Sequence, residues 1–452
     1  MSKKKIKVRL SPSVKILLGF MGVILIGAFL LCLPLSNKNG KWLSFIDAYF
    51  TSTTSVCVTG LVTVDIGATF TLFGQIVILF LIQIGGLGIV ALTSLIFLIL
   101  GKKINFSNRI ALKESLNRES IQGVVKFLKK VILITLLIEG VGALCLLYST
   151  ITYTGSFWKG LFSAIFMSVS SFCNAGIDVL GSETSQFLSL NNFASDVLMQ
   201  LPIMMLIVLG GIGFVVLIDG FRNFRKNQHV RVVLVVTSIL ILGGAILFML
   251  LEWNNPDTIG NMSFGEKVMN CFFQSVTTRT AGLCTFDQSA MTTGGTIITL
   301  LLMFIGGSPT SCAGGIKTTT FFIILLFLFK SPRHDGEIIY KERKISFNIL
   351  NKAFKIVLYS ISVVLMAVIL ISIIEGDRVS IVSVIFECVS AISTVGLSMG
   401  ITPTLSTLSK FVIAMLMYVG RVGMTTIALA LSTKVLQNQY QVEYTNTDII
   451  VG

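Results

Sequence analysis

Four glycines, Gly60, Gly176, Gly282 and Gly396, recur roughly 110 residues apart, and the sequence around them recurs with them. Ten residues before each stands a phenylalanine (Phe50, Phe166, Phe272, Phe386), and directly after each comes an aliphatic residue (Leu61, Ile177, Leu283, Leu397). The tripeptides that end on these glycines are Val58-Thr59-Gly60, Asn174-Ala175-Gly176, Thr280-Ala281-Gly282 and Thr394-Val395-Gly396. Glycine reaches dihedrals that other residues avoid, so such a segment can turn successive carbonyls to one side. Four carbonyl-lined loops around one axis replace the hydration shell of a monovalent cation. The first and last tripeptides fit that chemistry, and the middle two are degenerate versions of it. For any single glycine, packing in a helix bundle is the alternative. Four in register, each behind a short helix, speak against it.

The elements that position such turns must lie in a membrane. The 452-residue chain is 54% hydrophobic and only 12% charged, unlike a soluble protein of this length. Apolar stretches of about 20 residues recur, long enough to span a bilayer as helices. Val14–Leu35 and Ile76–Leu100 are almost uncharged throughout. Met1–Leu10 is basic, but the apolar run behind it is long and carries no small-x-small site, so it reads as a first span, not a cleaved leader. Most of the eight cysteines lie inside apolar runs with no CxxC, and read as buried hydrophobes rather than disulfides or metal ligands.

The net charge of +14 is distributed as topology signals, not as a nucleic-acid patch. Basic clusters at Lys3–Arg9, Lys102–Lys130, Arg222–Arg231, Lys330–Lys344 and Lys434 alternate with connections carrying Asp65, Asp178, Glu183, Asp196, Glu252, Asp257, Asp287, Glu375 and Asp377. The positive-inside rule then places both termini and the basic loops in the cytoplasm of a multi-pass cell-membrane protein.

Each repeat reads as helix, short helix, turn, helix. The short segments (Trp42–Val56, Phe157–Phe172, Phe264–Val276, Ile381–Ala391) cannot span and are expected to be re-entrant. Non-helical backbone at membrane depth is tolerated only inside protein or beside water, so the turns are expected to line an aqueous path. The expected architecture is an all-α integral membrane protein of four tandem units, with eight spanning helices around a pseudo-four-fold pore. Its expected divisions are a cytoplasmic segment 1–13, pore units 14–105, 106–225, 226–345 and 346–436, and a cytoplasmic tail 437–452. The second long helices are expected at Leu72–Leu100, Val197–Ile218, Thr296–Phe329 and Phe411–Leu431. Gly85-Gly86-Leu87-Gly88 is expected within a spanning helix, so no dinucleotide-binding turn is present.

The motifs resemble the Ktr/Trk/HKT superfamily of potassium-translocating subunits over the whole chain, and look most like its KtrB/KtrD-type membrane subunit. The matching stretches are Cys57-Val58-Thr59-Gly60-Leu61, Gln83-Ile84-Gly85-Gly86-Leu87-Gly88, Thr278-Arg279-Thr280-Ala281-Gly282 and Ser393-Thr394-Val395-Gly396-Leu397. The resemblance implies that Gly60, Gly176, Gly282 and Gly396 are filter glycines, and that four glycines favour potassium over sodium. It also implies a homodimer with one pore per chain, docked on a cytosolic nucleotide-binding ring of KtrA/KtrC type. Potassium would be cargo, sodium an activator or coupled ion, and the nucleotide would sit on the partner.

The inner helix of the third unit is unlike the others. Gly306-Gly307-Ser308-Pro309-Thr310-Ser311-Cys312-Ala313-Gly314-Gly315-Ile316-Lys317 cannot sustain a helix and should break it mid-membrane, lining the path. The resemblance places an intramembrane gate loop here, and Pro309 would stiffen it. Arg421 lies inside the last span, where a charge costs about 2.5–3.5 kcal/mol and so usually faces water or a partner. It is expected beneath the filter, bonded to carbonyls of the 306–317 loop and opposing cations until the loop moves; snorkelling is the bland alternative. Lys317 is either a gate element or the end of a broken helix. Glu139 is expected to make a bundle hydrogen bond. Asp47 and Glu387 face the outer vestibule, or cap and pack.

Two other function classes compete with this reading. Gly396-Leu397-Ser398-Met399-Gly400 matches the GxSxG elbow, but the chain's two histidines, His229 and His334, fall in cytoplasmic loops on the opposite side. An intramembrane enzyme is therefore disfavoured. A symporter, or a pathway for sodium or ammonium, stays open within transport, although coupled carriers place charges at a midplane site between inverted repeats.

Overall fold

A computed structural model describes residues 12–88, 122–182, 185–223, 227–330, 338–340, 343–423 and 426. The fold is mostly helical and repeats four times. Unit one comprises α1 (Pro12–Cys32), α2 (Phe45–Cys57) and α3 (Leu72–Leu87). Unit two comprises α4 (Val124–Thr154), α5 (Phe157–Cys173), α6 (Val197–Gly211) and α7 (Phe214–Asn223). Unit three comprises α8 (Gln228–Glu252), α9 (Phe264–Thr277), α10 (Thr293–Phe304) and α11 (Thr318–Phe329). Unit four comprises α12 (Phe347–Glu375), α13 (Ile381–Ser393) and α14 (Thr407–Val422).

The opening helices α1, α4, α8 and α12 are long and apolar enough to cross a membrane. They leave large apolar side chains such as Phe29, Leu144, Ile246 and Ile373 exposed, as lipid-facing helices do. The short helices α2, α5, α9 and α13 instead bury their C-terminal halves almost completely, including serines and threonines that water would normally hold. Each short helix packs on the inner helix of the unit before it: α5 on α3, α9 on α6, α13 on α10, and α2 on α14. The last pairing closes the four units into a ring, and the Lys410–Asp47 ion pair, 3.1 Å long, ties α14 to α2 at the same seam.

Glycine allows the inner helices to approach so closely. A Cβ at Gly85, Gly210 or Gly420 would collide with the carbonyls of Val56, Phe172 and Ile392, the penultimate residues of the short helices. Three inner helices therefore press their glycines on the ends of the short helices, and each of these helices also stops near that point.

Those stops depart from expectation. Only the third inner helix was expected to break, and it does, between Phe304 and Thr318. The second breaks as well: Val197–Ile218 is two helices, interrupted at Ile212-Gly213, with Gly213 at φ +93°. The first ends at Leu87, capped by Gly88 at φ +87°, and the fourth at Val422, capped by Gly423 at φ +88°. Gly85-Gly86-Leu87-Gly88 is therefore a helix terminus, not a helix interior. The reason is conformational: a glycine at positive φ ends a helix at little cost, where any other residue resists. The expected continuations, 89–100 and most of 424–431, lie outside the described residues, as do 1–11, most of 102–130 and the tail 437–452.

One small feature is not helical. Ile338–Tyr340 pairs antiparallel with Arg343–Ile345, with Ile338 opposite Ile345. Its β-branched residues favour the extended chain.

The outer ends of units three and four share a buried device. Glu252, at the end of α8, accepts from the Thr292 N–H at 2.9 Å, the Thr292 hydroxyl at 2.7 Å, Asn255 at 2.8 Å and Thr258 at 3.0 Å. Glu375, at the end of α12, accepts from the N–H and hydroxyl of Ser406 in the same way. Each carboxylate thus holds the N-cap residue of its inner helix. Glu252→Ala strands four donors and is expected to destabilise the protein by about 3 kcal/mol. Thermal unfolding in detergent checks this, and an unmoved midpoint would refute the role.

Candidate functional site

The four glycine turns converge at the axis of the ring. The residue two before each glycine is left-handed: Val58 at φ 55°, Asn174 at 58°, Thr280 at 76° and Thr394 at 50°. The glycines follow at φ +100°, +65°, +81° and +96°. Left-handed backbone is costly for a β-branched residue such as Val58, so the surrounding packing must impose it. A backbone that changes hand twice within three residues turns its carbonyls rather than extending them.

The turns touch in chain order. A Cβ on Gly60 would fall within 3.0 Å of the Ala175 carbonyl, one on Gly176 within 3.0 Å of Ala281, one on Gly282 within 3.0 Å of Val395, and one on Gly396 within 3.0 Å of Thr59. Each glycine therefore faces the carbonyl just before the next glycine, and the fourth faces the first. Thr59, Ala175, Ala281 and Val395 are fully buried, and no charged side chain lies within the four tripeptides. Unit two meets unit three through a 3.3 Å hydrogen bond between the Asn174 amide and the Thr280 hydroxyl. Such a ring offers a cation backbone carbonyls and no charged group.

Hydroxyls anchor each turn to its own helix, a feature the sequence reading missed. Thr54 accepts from Gly60 N–H at 2.9 Å, and Ser390 from Gly396 N–H at 3.0 Å. Ser170 binds both the N–H (3.0 Å) and the carbonyl (2.6 Å) of Ile177. Thr277 donates to the Leu283 carbonyl at 2.5 Å. A column of Ser/Thr six residues before the glycine was the available signal in units one, two and four. In unit three the anchor sits five residues before it, because the turn is one residue shorter: Ala281 N–H returns to Thr277, whereas Thr59, Ala175 and Val395 return to Thr54, Ser170 and Ser390. This corrects the register of the phenylalanines. Phe50, Phe166 and Phe386 are fully buried, but in unit three Phe273 fills that place and Phe272 is only half-buried.

The loop 305–317 lies beneath the ring. Its neck is zipped by Ile316 N–H to Phe304 and Thr318 N–H to Gly307, with the Ser308 and Thr318 hydroxyls 3.0 Å apart. Ser311 donates back to the Ser308 carbonyl at 2.6 Å. Gly306 packs on Gly314, and Gly314 on Thr394 of the fourth turn, so neither position has room for a side chain. Gly315 adopts φ +65°. Lys317 caps the start of α11 and donates from Nζ to the Ala313 carbonyl at 2.6 Å, inside the loop. Arg421 donates to the Cys312 carbonyl of the loop and to the Gly85 and Gly86 carbonyls at the end of α3. The guanidinium thus binds three carbonyls on two chain segments and does not snorkel. A cavity of ≈ 110 Å³ flanks the loop, lined among others by Gly315, Lys317, Ser360, Ser393 and Gly420.

A second buried arginine escaped the sequence reading. Arg279 reaches the Thr237 carbonyl at 3.5 Å and the Gly306 carbonyl at 3.4 Å, joining the third turn to the head of the loop. A basic residue inside an otherwise uncharged short helix end was its signal.

The remaining singled-out residues are structural in their contacts. Glu139 accepts from Gln83 at 3.1 Å, a bundle hydrogen bond. Asp47 caps α2 through Ser44 and pairs with Lys410. Glu387 accepts from the Ser398 hydroxyl. The serine of the GxSxG match is therefore bound to a carboxylate and not to a histidine. At the outer rim, Asp178 lies two residues past Gly176. Burial, and then the Asp65 carboxylate beside it, push its carboxyl up to about 6.

Comparison with known proteins shows the family and the fold. A family profile described as cation transport protein, TrkH, matches residues 12–442. The potassium/sodium uptake protein NtpJ of Enterococcus hirae is 39% identical over 100% of this chain and 99% of its own. The Ktr system potassium uptake protein B of Bacillus subtilis is 37% identical, covering 98% of each chain. The crystal structure of the potassium transporter TrkH from Vibrio parahaemolyticus superposes with a TM-score of 0.73 at 16% identity, over 96% of this chain and 88% of that one. The chain is a multi-pass membrane transporter, not an enzyme, and belongs to the TrkH family of cation transport proteins.

Proposed function

We propose that this chain is the potassium-translocating membrane subunit of a Ktr-type uptake system, conducting the ion through a filter made of its four turns. The observation that carries the reading is the closed order of those turns, each glycine facing the carbonyl before the next. Oxygen ligands from Val58-Thr59-Gly60, Asn174-Ala175-Gly176, Thr280-Ala281-Gly282 and Thr394-Val395-Gly396 would replace the hydration shell of a potassium ion, as carbonyl rings do. The short helices point their C-terminal ends at the axis, where their dipoles favour a cation.

In this reading the loop 306–317 is the gate and Arg421 its lock. The guanidinium places a positive charge beneath the filter and holds the loop by the Cys312 carbonyl. The adjoining cavity supplies room for the loop to move aside. The chain would form a homodimer with a pore in each protomer, both termini in the cytoplasm, on a cytosolic KtrA/KtrC-type nucleotide-binding ring. Two full-length relatives supply the support: one is named a Ktr system potassium uptake protein, and the other a potassium/sodium uptake protein. The latter makes sodium, as activator or second cargo, the reading to test beside potassium.

Growth rescue of a potassium-uptake-deficient bacterium at low potassium, with and without a ring subunit, tests the whole proposal; absence of rescue despite membrane expression defeats it. Gly282→Ser puts a side chain into a left-handed position facing the Val395 carbonyl, a strain of about 1–3 kcal/mol, and about tenfold of potassium preference should be lost. Reversal potentials or competing sodium flux measure it, and an unaltered preference would remove the third turn from the filter. Arg421→Ala should raise rubidium flux several-fold in proteoliposomes; flux at or below wild type in a monodisperse variant refutes the lock.

External pH gives a further test. Above about 6 Asp178 is charged and draws cations to the outer mouth, and below it the carboxyl is neutral. Uptake at limiting potassium should fall as external pH drops through about 6, and Asp178→Asn should flatten that step. A step of the same size in the variant assigns it elsewhere.

A further inference from the structure

Given the reading of residues 306–317 as the gate, the geometry points to a second element, besides Arg421, that holds it shut. Three backbone hydrogen bonds join the loop to the break in the second unit's inner helix. Ser308 N–H donates to the Gly211 carbonyl at 2.9 Å, Cys312 N–H donates to Gly210 at 3.2 Å, and Phe214 N–H donates to the Thr310 carbonyl at 3.0 Å.

These partners exist because the helix is interrupted. The carbonyls at the end of α6 have no donor, and the first N–H of α7 has no acceptor, within their own helices. At a depth without water, such groups must be satisfied by protein. The break and the loop each supply what the other lacks. Their fit is close: Gly213, at φ +93°, lies against the Pro309 carbonyl with no room for a Cβ. Thr310 is held at φ 63°, a left-handed conformation that a threonine adopts only under constraint. The bond from Phe214 to the Thr310 carbonyl supplies that constraint.

We propose that residues 210–214 are the seat of the gate, and that α7, which begins with the donor Phe214, is the lever that releases it. Displacing α7 withdraws the Phe214 N–H, frees Thr310 from its left-handed conformation, and unseats the loop from below. The gate is thereby controlled from unit two, although the loop belongs to unit three and the arginine to unit four.

Phe214→Pro isolates the interaction. Phe214 is the first residue of α7, where proline fits the helix and no helical hydrogen bond is lost. The substitution removes the donor to Thr310. Phe214→Ala is the matched control, since both variants lose the same buried ring but only alanine keeps the N–H. Each would be made in the full-length chain, reconstituted, and read in two ways: rubidium flux, and hydrogen–deuterium exchange of the peptide covering 306–317. Phe214→Pro is expected to raise flux several-fold and speed loop exchange relative to Phe214→Ala. Gly213→Ala, which pushes a methyl at the Pro309 carbonyl, is expected to do the same. Equal flux and exchange in the proline and alanine variants overturn the seat. Faster exchange without faster flux, while Arg421→Ala conducts more, overturns its control of the gate. If Arg421→Ala is silent as well, the gate reading itself has failed, and the exchange data alone decide whether the seat exists.

Discussion

Backbone meets backbone at the centre of this protein, and the rest of the structure depends on that approach. Gly85, Gly210 and Gly420 let three inner helices reach the penultimate carbonyls of the short helices, and Gly306 and Gly314 do the equivalent in the loop. A single methyl at any of these positions would push an inner helix outward. The short helices would then lose the wall that holds their C-terminal turns in a left-handed conformation. The turns at the axis exist because the glycines behind them exist.

The second constraint is the cost of an unpaired polar group away from water. Ending the inner helices at membrane depth leaves carbonyls and amides without helical partners, and among the described residues several of them find protein partners. Arg421 takes the carbonyls at the end of α3 and one from the loop, while Arg279 takes the head of the loop. The loop and the second break satisfy one another. Hydroxyls from Thr54, Ser170, Thr277 and Ser390 hold the turns. These polar side chains serve the backbone.

Four-fold repetition does not mean four equal parts. The third turn is one residue shorter, the third inner helix carries the loop, and the second supplies its seat. Unequal units leave one loop, 305–317, in a single unit, while all four contribute a turn to the ring.

The sequence alone determined that the chain lies in a membrane, that it repeats four times, and which tripeptides meet at the axis. Hydropathy and recurring glycines are local properties, legible without neighbours. The break of the third inner helix was legible too, because so many small residues and a proline cannot stay helical. The breaks at Gly88, Gly213 and Gly423 were not, because a glycine cluster in an apolar run reads the same whether it packs inside a helix or ends one. Only the tertiary structure decided between these, through what each glycine touches. The buried Phe273 in place of Phe272, the linkage of Arg279 to Gly306, and the pairing of the loop with residues 210–214 were likewise settled by three-dimensional proximity. Each joins residues far apart in sequence, or turns on a one-residue shift that no periodicity reveals.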